Sequence, residues 1–494
     1  MADILVVGAG TAGIACAILA AQAGATVTVL EKDAVIGGTL HVSAGHLSGA
    51  GTRRQRDVGI DDDTSDRHFD DVMRLSRGEA DPVLVRLAVE EAPHTIDWLH
   101  DLGFAFDPST PAIYLGHDAY SRARTVWHAA GPGQQPASPL GRAIGILETL
   151  RPAWDEQVAA GRIVPHFSTA LTALIVEDGA VVGARATGPA GASAEFRSSH
   201  TVLATGGYGA SPELFAELTP GHPRLVTHAW HTATGDGIVA ARAAGAAIRD
   251  GEKHNYRLGM IEVEPGSGRG ELARNFVGLS AAARRPDEIW VNEQGERFVD
   301  ETTHDITGQE RAVLGQPGHR FWLVFDEAAL AGPQAPVPAG WDRDAVRARS
   351  DEGVVVWRDA TPAGLAAKSG IDPAGLEQTL AAYNARIAAA TSDPLGRTGS
   401  DAPLAQGPFY ALALPAGVLV TFGGIHVDSQ LRALDTAGRP IAGLYAAGEV
   451  VGGGATSGIA FCGGMLITPA LSFGRILGRT LAAAATAGDG AGRA

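Results

Sequence analysis

The chain has 494 residues, 45% of them hydrophobic, and a formal charge of −16 at pH 7, so it is long enough for two domains and too acidic to favour nucleic acid or an anionic membrane as partner. Its only cysteines, Cys16 and Cys462, exclude a disulfide framework, a CxxCH haem site and an iron–sulfur cluster. No signal peptide is visible before the first apolar run and no apolar stretch is long enough to span a bilayer, so the expected location is the cytoplasm.

The chain is organised around its first 31 residues. Ile4 to Val7 reads as a buried parallel strand. Gly8, Gly10 and Gly13 follow at GxGxxG spacing, with Thr11 and Ala12 between them, and an Ala-rich helix runs to about Ala23, where Gly24 ends it. A second strand, Ala25 to Leu30, closes on Glu31 and Lys32. Gly8 permits the tight turn, Gly10 lets a pyrophosphate approach the backbone, and Gly13 lets helix lie close on strand. The helix N-terminus offers free N–H groups to the phosphates, and Glu31 stands where a carboxylate accepts from an adenosine ribose. The pattern predicts a dinucleotide site and does not by itself separate FAD from NAD.

Gly37-Gly38-Thr39 and then Ser43-Ala44-Gly45-His46, running on to Thr52, form a small-residue stretch. It suits backbone lying against a flat ligand, or a flexible loop. Glu31-Lys32 followed by Gly37-Gly38 and a Ser-Ala-Gly segment resembles the FAD-binding domain of the fumarate reductase, 3-ketosteroid dehydrogenase and tricarballylate dehydrogenase flavoproteins. The resemblance implies FAD as cofactor, with the Ser43–Gly45 segment beside the flavin. Neither His41 nor His46 falls at the position used by relatives that link the flavin covalently.

Asp81 to Leu102 carries apolar residues at helical spacing and fits a surface helix pair. Residues 114–142 gather Tyr114, His117, Tyr120, Arg122, Arg124, Trp127, His128, Gly131-Pro132-Gly133 and Arg142. This is either a substrate or flavin lining or a solvated loop with a few packed rings. A helix is expected over 141–158 and a β-rich block over 162–205. Thr201 to Gly207 is an apolar strand running through Ala204 and Thr205 into Gly206, and it looks like the superfamily's return strand to FAD. Thr234-Gly-Asp236-Gly237 opens an Ala-rich helix to about Gly245, as in the fumarate reductase-like flavoproteins.

Residues 252–420 change texture, with short strands, a Pro-rich patch at 332–338 and a helix at about 374–389. Ile289 to Glu301 reads as a hairpin turning at Glu293 to Gly295, and it resembles the family's cap hairpin. The last block carries Gly443-Leu-Tyr-Ala-Ala-Gly448-Glu449, then Gly463-Gly464-Met465-Leu466 ahead of a final helix. The resemblance implies that Glu449 holds the FAD sugar side. It also implies that the Gly-Gly segment meets the flavin's pyrimidine edge, where the helix dipole stabilises negative charge. The expected architecture is α/β: a Rossmann-like FAD-binding domain (1–251 and 421–494) with an inserted α+β cap (252–420).

At the reacting centre the chain departs from the fumarate reductases. His304 stands nearest the place of their arginine acid, Val420 that of a histidine, and Phe461 that of a second substrate arginine. A dicarboxylate clamp made of Val and Phe leaves a charge unpaired, which is costly. His304 is a candidate general acid or a structural histidine. Arg122 and Arg124 suit polarising a carbonyl or a surface ion pair. The ketosteroid enzymes place tyrosines at their reaction centre; no position here matches theirs directly, and Tyr120 and Tyr256 are the tyrosines available, while His254, Tyr256 and Arg257 stand at the entry to the cap. Cys462 reads as a small filler.

The reading is an FAD-dependent dehydrogenase or ene-reductase acting on CH–CH groups. It forms or reduces a C=C bond next to a carbonyl or carboxyl group by hydride transfer at flavin N5, on a less polar cyclic or steroid-like small molecule. The alternatives are a dicarboxylate or tricarballylate-type dehydrogenase using Arg122, Arg124 and Arg142, and a non-catalytic FAD-binding electron-transfer subunit. No second GxGxxG is present in the interior, so the electron donor or acceptor is unknown. Nothing in the sequence suggests a metal.

Overall fold

The computed structural model describes residues 2–116, 118–129, 142–221, 226–258, 260–262, 264, 266–270, 284–338, 340–399 and 402–491. The expected strand, turn, helix and strand are β1 (Ile4–Val7), α1 (Thr11–Gln22) and β2 (Val27–Leu30). The second strand starts at Val27 rather than Ala25. The Ala25 N–H is still turned back onto Ala20 O (3.1 Å), closing the helix end.

β1 pairs in parallel with β2 on one side and with His200–Leu203 on the other. Pro440–Ala446 and Ile163–His166 extend the parallel sheet, and Arg432–Leu434 pairs antiparallel at one edge. Strand order reverses at β1, which opens a crevice at the carboxyl ends of the central strands. Gly8 turns the chain there at φ +102°, and a Cβ on it would meet Ala204 O at 2.4 Å. A Cβ on Gly13 would lie 1.9 Å from Gly8 O, and one on Gly474 of the last helix, Ile467–Ala491, 2.2 Å from Ala12 O. Glycine at these points lets both helices press onto the turn.

Asp81 to Leu102 forms one continuous helix, Pro82–Asp101, rather than two. Asp81 caps it by accepting from the Val83 and Leu84 N–H groups (2.8 and 3.2 Å). The shorter helix Ser65–Leu75 lies alongside, with Ser65 Oγ donating to Val89 O. The helix expected over 141–158 is Arg142–Ala159, and that expected over 374–389 is Pro373–Ala388. The β-rich block contributes a separate antiparallel sheet of Ala170–Glu177, Ala180–Thr187 and Ser193–Arg197.

Of the hairpin at 289–301 only the first arm, Ile289–Val291, is a strand. It pairs with Arg320–Asp326 in a four-stranded antiparallel sheet. The turn closes, Gly295 N to Asn292 O at 3.0 Å, but the return arm makes a single bridge at Arg297. Arg297 is drawn instead into a buried ion cluster with Glu301 (2.7 Å) and Asp393 (2.7 Å), which Arg397 joins. One buried apolar cluster spans Ile4 to Ala246 and resumes at Val418, and another spans Tyr256 to Ala416. Among the described residues no helix is long and apolar enough to cross a membrane.

Candidate active site

A cavity fills the crevice at the carboxyl ends of the strands. Its walls include Gly8, Gly10, Thr11 and Ala12 of the first turn, then Glu31, Lys32, Gly38 and Thr39. Ser43, Ala44 and Gly45 follow, with Ala204, Thr205, Gly206, Asp236, Gly448, Glu449, Gly464 and Leu466 opposite. Two residues expected at the cofactor stand behind the wall. Gly13 packs on Gly8, and Met465 is fully buried, its carbonyl accepting from Thr456 Oγ1 at 2.7 Å.

At one end Glu31 Oε2 accepts from the Ala9 N–H (2.6 Å) and Oε1 from the Asp33 N–H (2.7 Å). Burial pushes this carboxyl above its ordinary pKa, against those backbone hydrogen bonds. Lys32 Nζ reaches Thr234 Oγ1 (2.5 Å) and Asp236 (2.9 Å). Both side chains close the cavity beside the Gly8–Gly13 turn. At the other end Glu449 Oε1 accepts from the Thr421 N–H (2.8 Å) and Oγ1 (3.1 Å). Burial raises the Glu449 pKa to about 7.

The walls fit a dinucleotide. A Cβ on Gly10 would find nothing nearer than Ala204 O at 4.0 Å, and one on Gly206 nothing within 4 Å. That is open room where phosphate and sugar must pass close to the backbone. The model of the FAD-binding domain family matches residues 3–466. The chain belongs to this family.

A probable fumarate reductase of Shewanella frigidimarina is 30% identical over 478 residues, which cover 96% of this chain and 74% of that protein. A 4-oxocyclohexanecarboxylate 2-dehydrogenase of Sinomonas cyclohexanicum is 30% identical, covering 99% of this chain and 94% of its own. The 3-ketosteroid Δ1-dehydrogenase structure from Sterolibacterium denitrificans shares the fold, with TM-score 0.75 at 22% identity over 98% of this chain and 99% of that one. This flavoprotein is therefore an FAD-dependent oxidoreductase acting on carbon–carbon bonds, with FAD as its cofactor. That sets aside the non-catalytic reading.

None of the five residues expected to carry the chemistry lines the FAD cavity. His304 is exposed. Arg122 is a surface ion pair with Asp62 (2.8 Å). Arg124 is wholly buried between Asp63 (2.8 Å) and Asp71 (2.7 Å). Tyr120 is buried, its hydroxyl donating to Gly463 O at 2.7 Å. It props the Gly-Gly segment from behind. Tyr256 is fully buried in the second apolar cluster, Tyr256 to Ala416, and its hydroxyl meets no hydrogen-bond partner. Arg142, the third arginine of the dicarboxylate alternative, packs over the Trp127 ring at 5.0 Å. His117 and Gly131-Pro132-Gly133 lie outside the described residues.

The arginine that borders the cavity, among the described residues, is Arg257, which the sequence marked only as cap-entry trim. It lies over the Phe461 ring, 5.7 Å from its centroid, and shares a hydrogen bond with the Tyr114 side chain. Tyr114 packs on His46, centroids 4.1 Å apart. His46 also borders the cavity, and burial, together with the charges of Arg257 and Arg142, lowers its pKa to about 3. It is a neutral ring at any working pH. Leu419, Val420 and Phe461 form the apolar wall here. Cys462 is buried beside them, its thiol pushed up to about 12 by burial, and so is not a nucleophile. The residue missed outright is Trp230, which borders the cavity at the Glu31 end, its indole on Asp33. Its nearness in sequence to Thr234-Gly-Asp-Gly was the available signal.

Proposed function

We propose that this flavoprotein forms or reduces a C=C bond next to the carbonyl or carboxyl group of a less polar cyclic compound, of the cyclohexane or steroid class. The observation that carries this reading is the wall beside Glu449: Leu419, Val420 and Phe461, with Arg257 as the cation set among them. A second carboxylate of a dicarboxylate would face Val420, Phe461 and the neutral His46, and would stay unpaired at a cost of several kcal/mol. A ring with one polar handle leaves no such charge. The Sinomonas relative, whose name gives a cyclic keto acid as substrate, supports the same reading.

Bound FAD supplies hydride exchange at N5. Arg257 holds the substrate's carbonyl or carboxylate oxygen and stabilises the enolate-like charge that develops there. Residues 252–420 act as a cap between the two stretches of the FAD domain, 1–251 and 421–494, and keep water from the apolar wall.

The test is to reduce the FAD-loaded protein without oxygen, then add a cyclohexenone carboxylate to one sample and fumarate to another while following flavin absorbance. Fast reoxidation by the cyclic enone and slow reoxidation by fumarate is expected. Faster reoxidation by fumarate would overturn the reading.

A further inference from the structure

The ribose end of the cavity holds an aromatic ring that no motif assigns. Trp230 borders the cavity together with Thr169, Leu171 and Thr232. Its indole is fixed from several sides. Nε1 donates to Asp33 Oδ2 at 3.0 Å. The His41 ring stacks on it with centroids 4.8 Å apart and planes 24° from parallel. His41 is itself held, its Nε2 3.0 Å from Ile36 O. His231 leans on the indole at 4.6 Å.

Asp33 ties this ring to the ribose acid. Its backbone N–H donates to Glu31 Oε1 at 2.7 Å while its carboxylate takes the indole N–H. Its carbonyl accepts from the Ser168 N–H at 2.9 Å, and Glu31 O from the Thr169 N–H at 2.8 Å. Indole, ribose acid and the Thr169 wall are therefore one connected unit. Among the described residues, the other rings that border the cavity are His46 and Phe461 beside Arg257 and Phe473 on the last helix. A base attached to a ribose on Glu31 thus has Trp230 as its aromatic neighbour. An indole already held in one orientation loses little freedom when a flat ring packs on it.

We propose that Trp230 is the aromatic wall for the adenine ring of FAD, and that through it the site selects the dinucleotide over FMN. This rests on the FAD assignment and is independent of the substrate. FMN has the flavin and one phosphate but no adenosine, so only FAD reaches the ring.

The test titrates deflavinated full-length protein with FAD and, separately, with FMN. Trp230→Ala is expected to raise the FAD dissociation constant roughly 10- to 100-fold, the range of a lost base–aromatic contact. Its FMN dissociation constant should stay within about twofold of wild type, since no contact to FMN is removed. Trp230→Phe keeps a ring and should hold FAD within about fivefold of wild type, the loss of one partly buried hydrogen bond to Asp33. Tryptophan emission supplies a readout free of turnover: FAD should quench wild type more than Trp230→Phe, and FMN should quench the two alike. Unchanged FAD affinity in Trp230→Ala would overturn the proposal. Equal weakening of FAD and FMN would overturn it too, because that outcome reports a general loosening of the cavity, and so would a Trp230→Phe loss of FAD as large as that of Trp230→Ala, because that reports the broken Asp33–Glu31 link rather than a lost adenine contact.

Discussion

A methyl group on Gly207 would stand 2.2 Å from Oε1 of Glu449. It would also meet Thr421 Oγ1 at 2.1 Å, the atom that shares Glu449 Oε1 with the Thr421 N–H. No side chain can occupy that space unless the carboxyl leaves its donors. Gly207→Ala is therefore expected to displace Glu449 from the cavity wall, at an overpacking cost of about 1–3 kcal/mol. That predicts protein purified with well under one FAD per chain. The flavin-to-protein absorbance ratio checks it, and full occupancy would show that the strand end absorbs the methyl.

Arg257 is the cation at the apolar wall, so its loss should be felt by the substrate and not by FAD. Arg257→Gln is expected to lower kcat/KM for a cyclic enone by roughly 10- to 100-fold, the worth of a hydrogen bond from a charged donor. The bound flavin spectrum should remain that of wild type. Arg122→Ala, on the surface with Asp62, is the matched control and should change kcat/KM by less than about twofold. Steady-state rates on the three proteins decide it, and an unchanged Arg257→Gln would remove this residue from the substrate site.

The cofactor half of the site was legible because its demands are backbone demands. A turn that must bring phosphate to the main chain leaves Gly8, Gly10 and Gly13 at fixed spacing, and a ribose leaves an acid at Glu31. The reacting half was not legible, because side chains there are set by the path of the chain in three dimensions. His304 is near the helix Ile306–Leu314 in sequence, yet it faces solvent. Arg124, Arg122 and Tyr120 lie within five residues of each other and go to three different environments. Arg257 has no spacing signature, and Trp230 has only its nearness to Thr234-Gly-Asp-Gly. The hairpin at 289–301 failed for a related reason: an ion cluster with Asp393, distant in sequence, outcompeted the local strand pairing.

Arg124 and Arg122 make opposite predictions for stability. Arg124 is wholly buried, and its guanidinium serves Asp63 at 2.8 Å and Asp71 at 2.7 Å, while Gln55 also donates to Asp63. Removing the cation leaves buried carboxylates facing each other, so Arg124→Ala should cost about 3–5 kcal/mol. Arg122→Ala breaks a pair whose partners are 42% and 58% exposed, and should cost well under about 1 kcal/mol. Urea midpoints measure both. Comparable losses would mean that the Arg124 cluster is hydrated.

Glu310 makes stability depend on pH. It is buried on the helix Ile306–Leu314, with Oε2 accepting from Asn255 Nδ2 at 2.6 Å and Oε1 without a hydrogen-bond partner. Burial raises its pKa to about 8, against the charge of Arg257 and with help from Asp118. In the unfolded chain a glutamate titrates near about 4.3. The folded state thus holds the proton more tightly. The stability this confers is complete below about pH 4.3 and is lost as pH rises through about 8. Glu310→Gln mimics the protonated form and has no such loss. The variant is therefore expected to gain on wild type between pH 5 and pH 9, by on the order of 3 kcal/mol at the upper end. Urea unfolding of both proteins at the two pH values tests this. Parallel pH dependences would mean that Glu310 is already ionised in the folded protein.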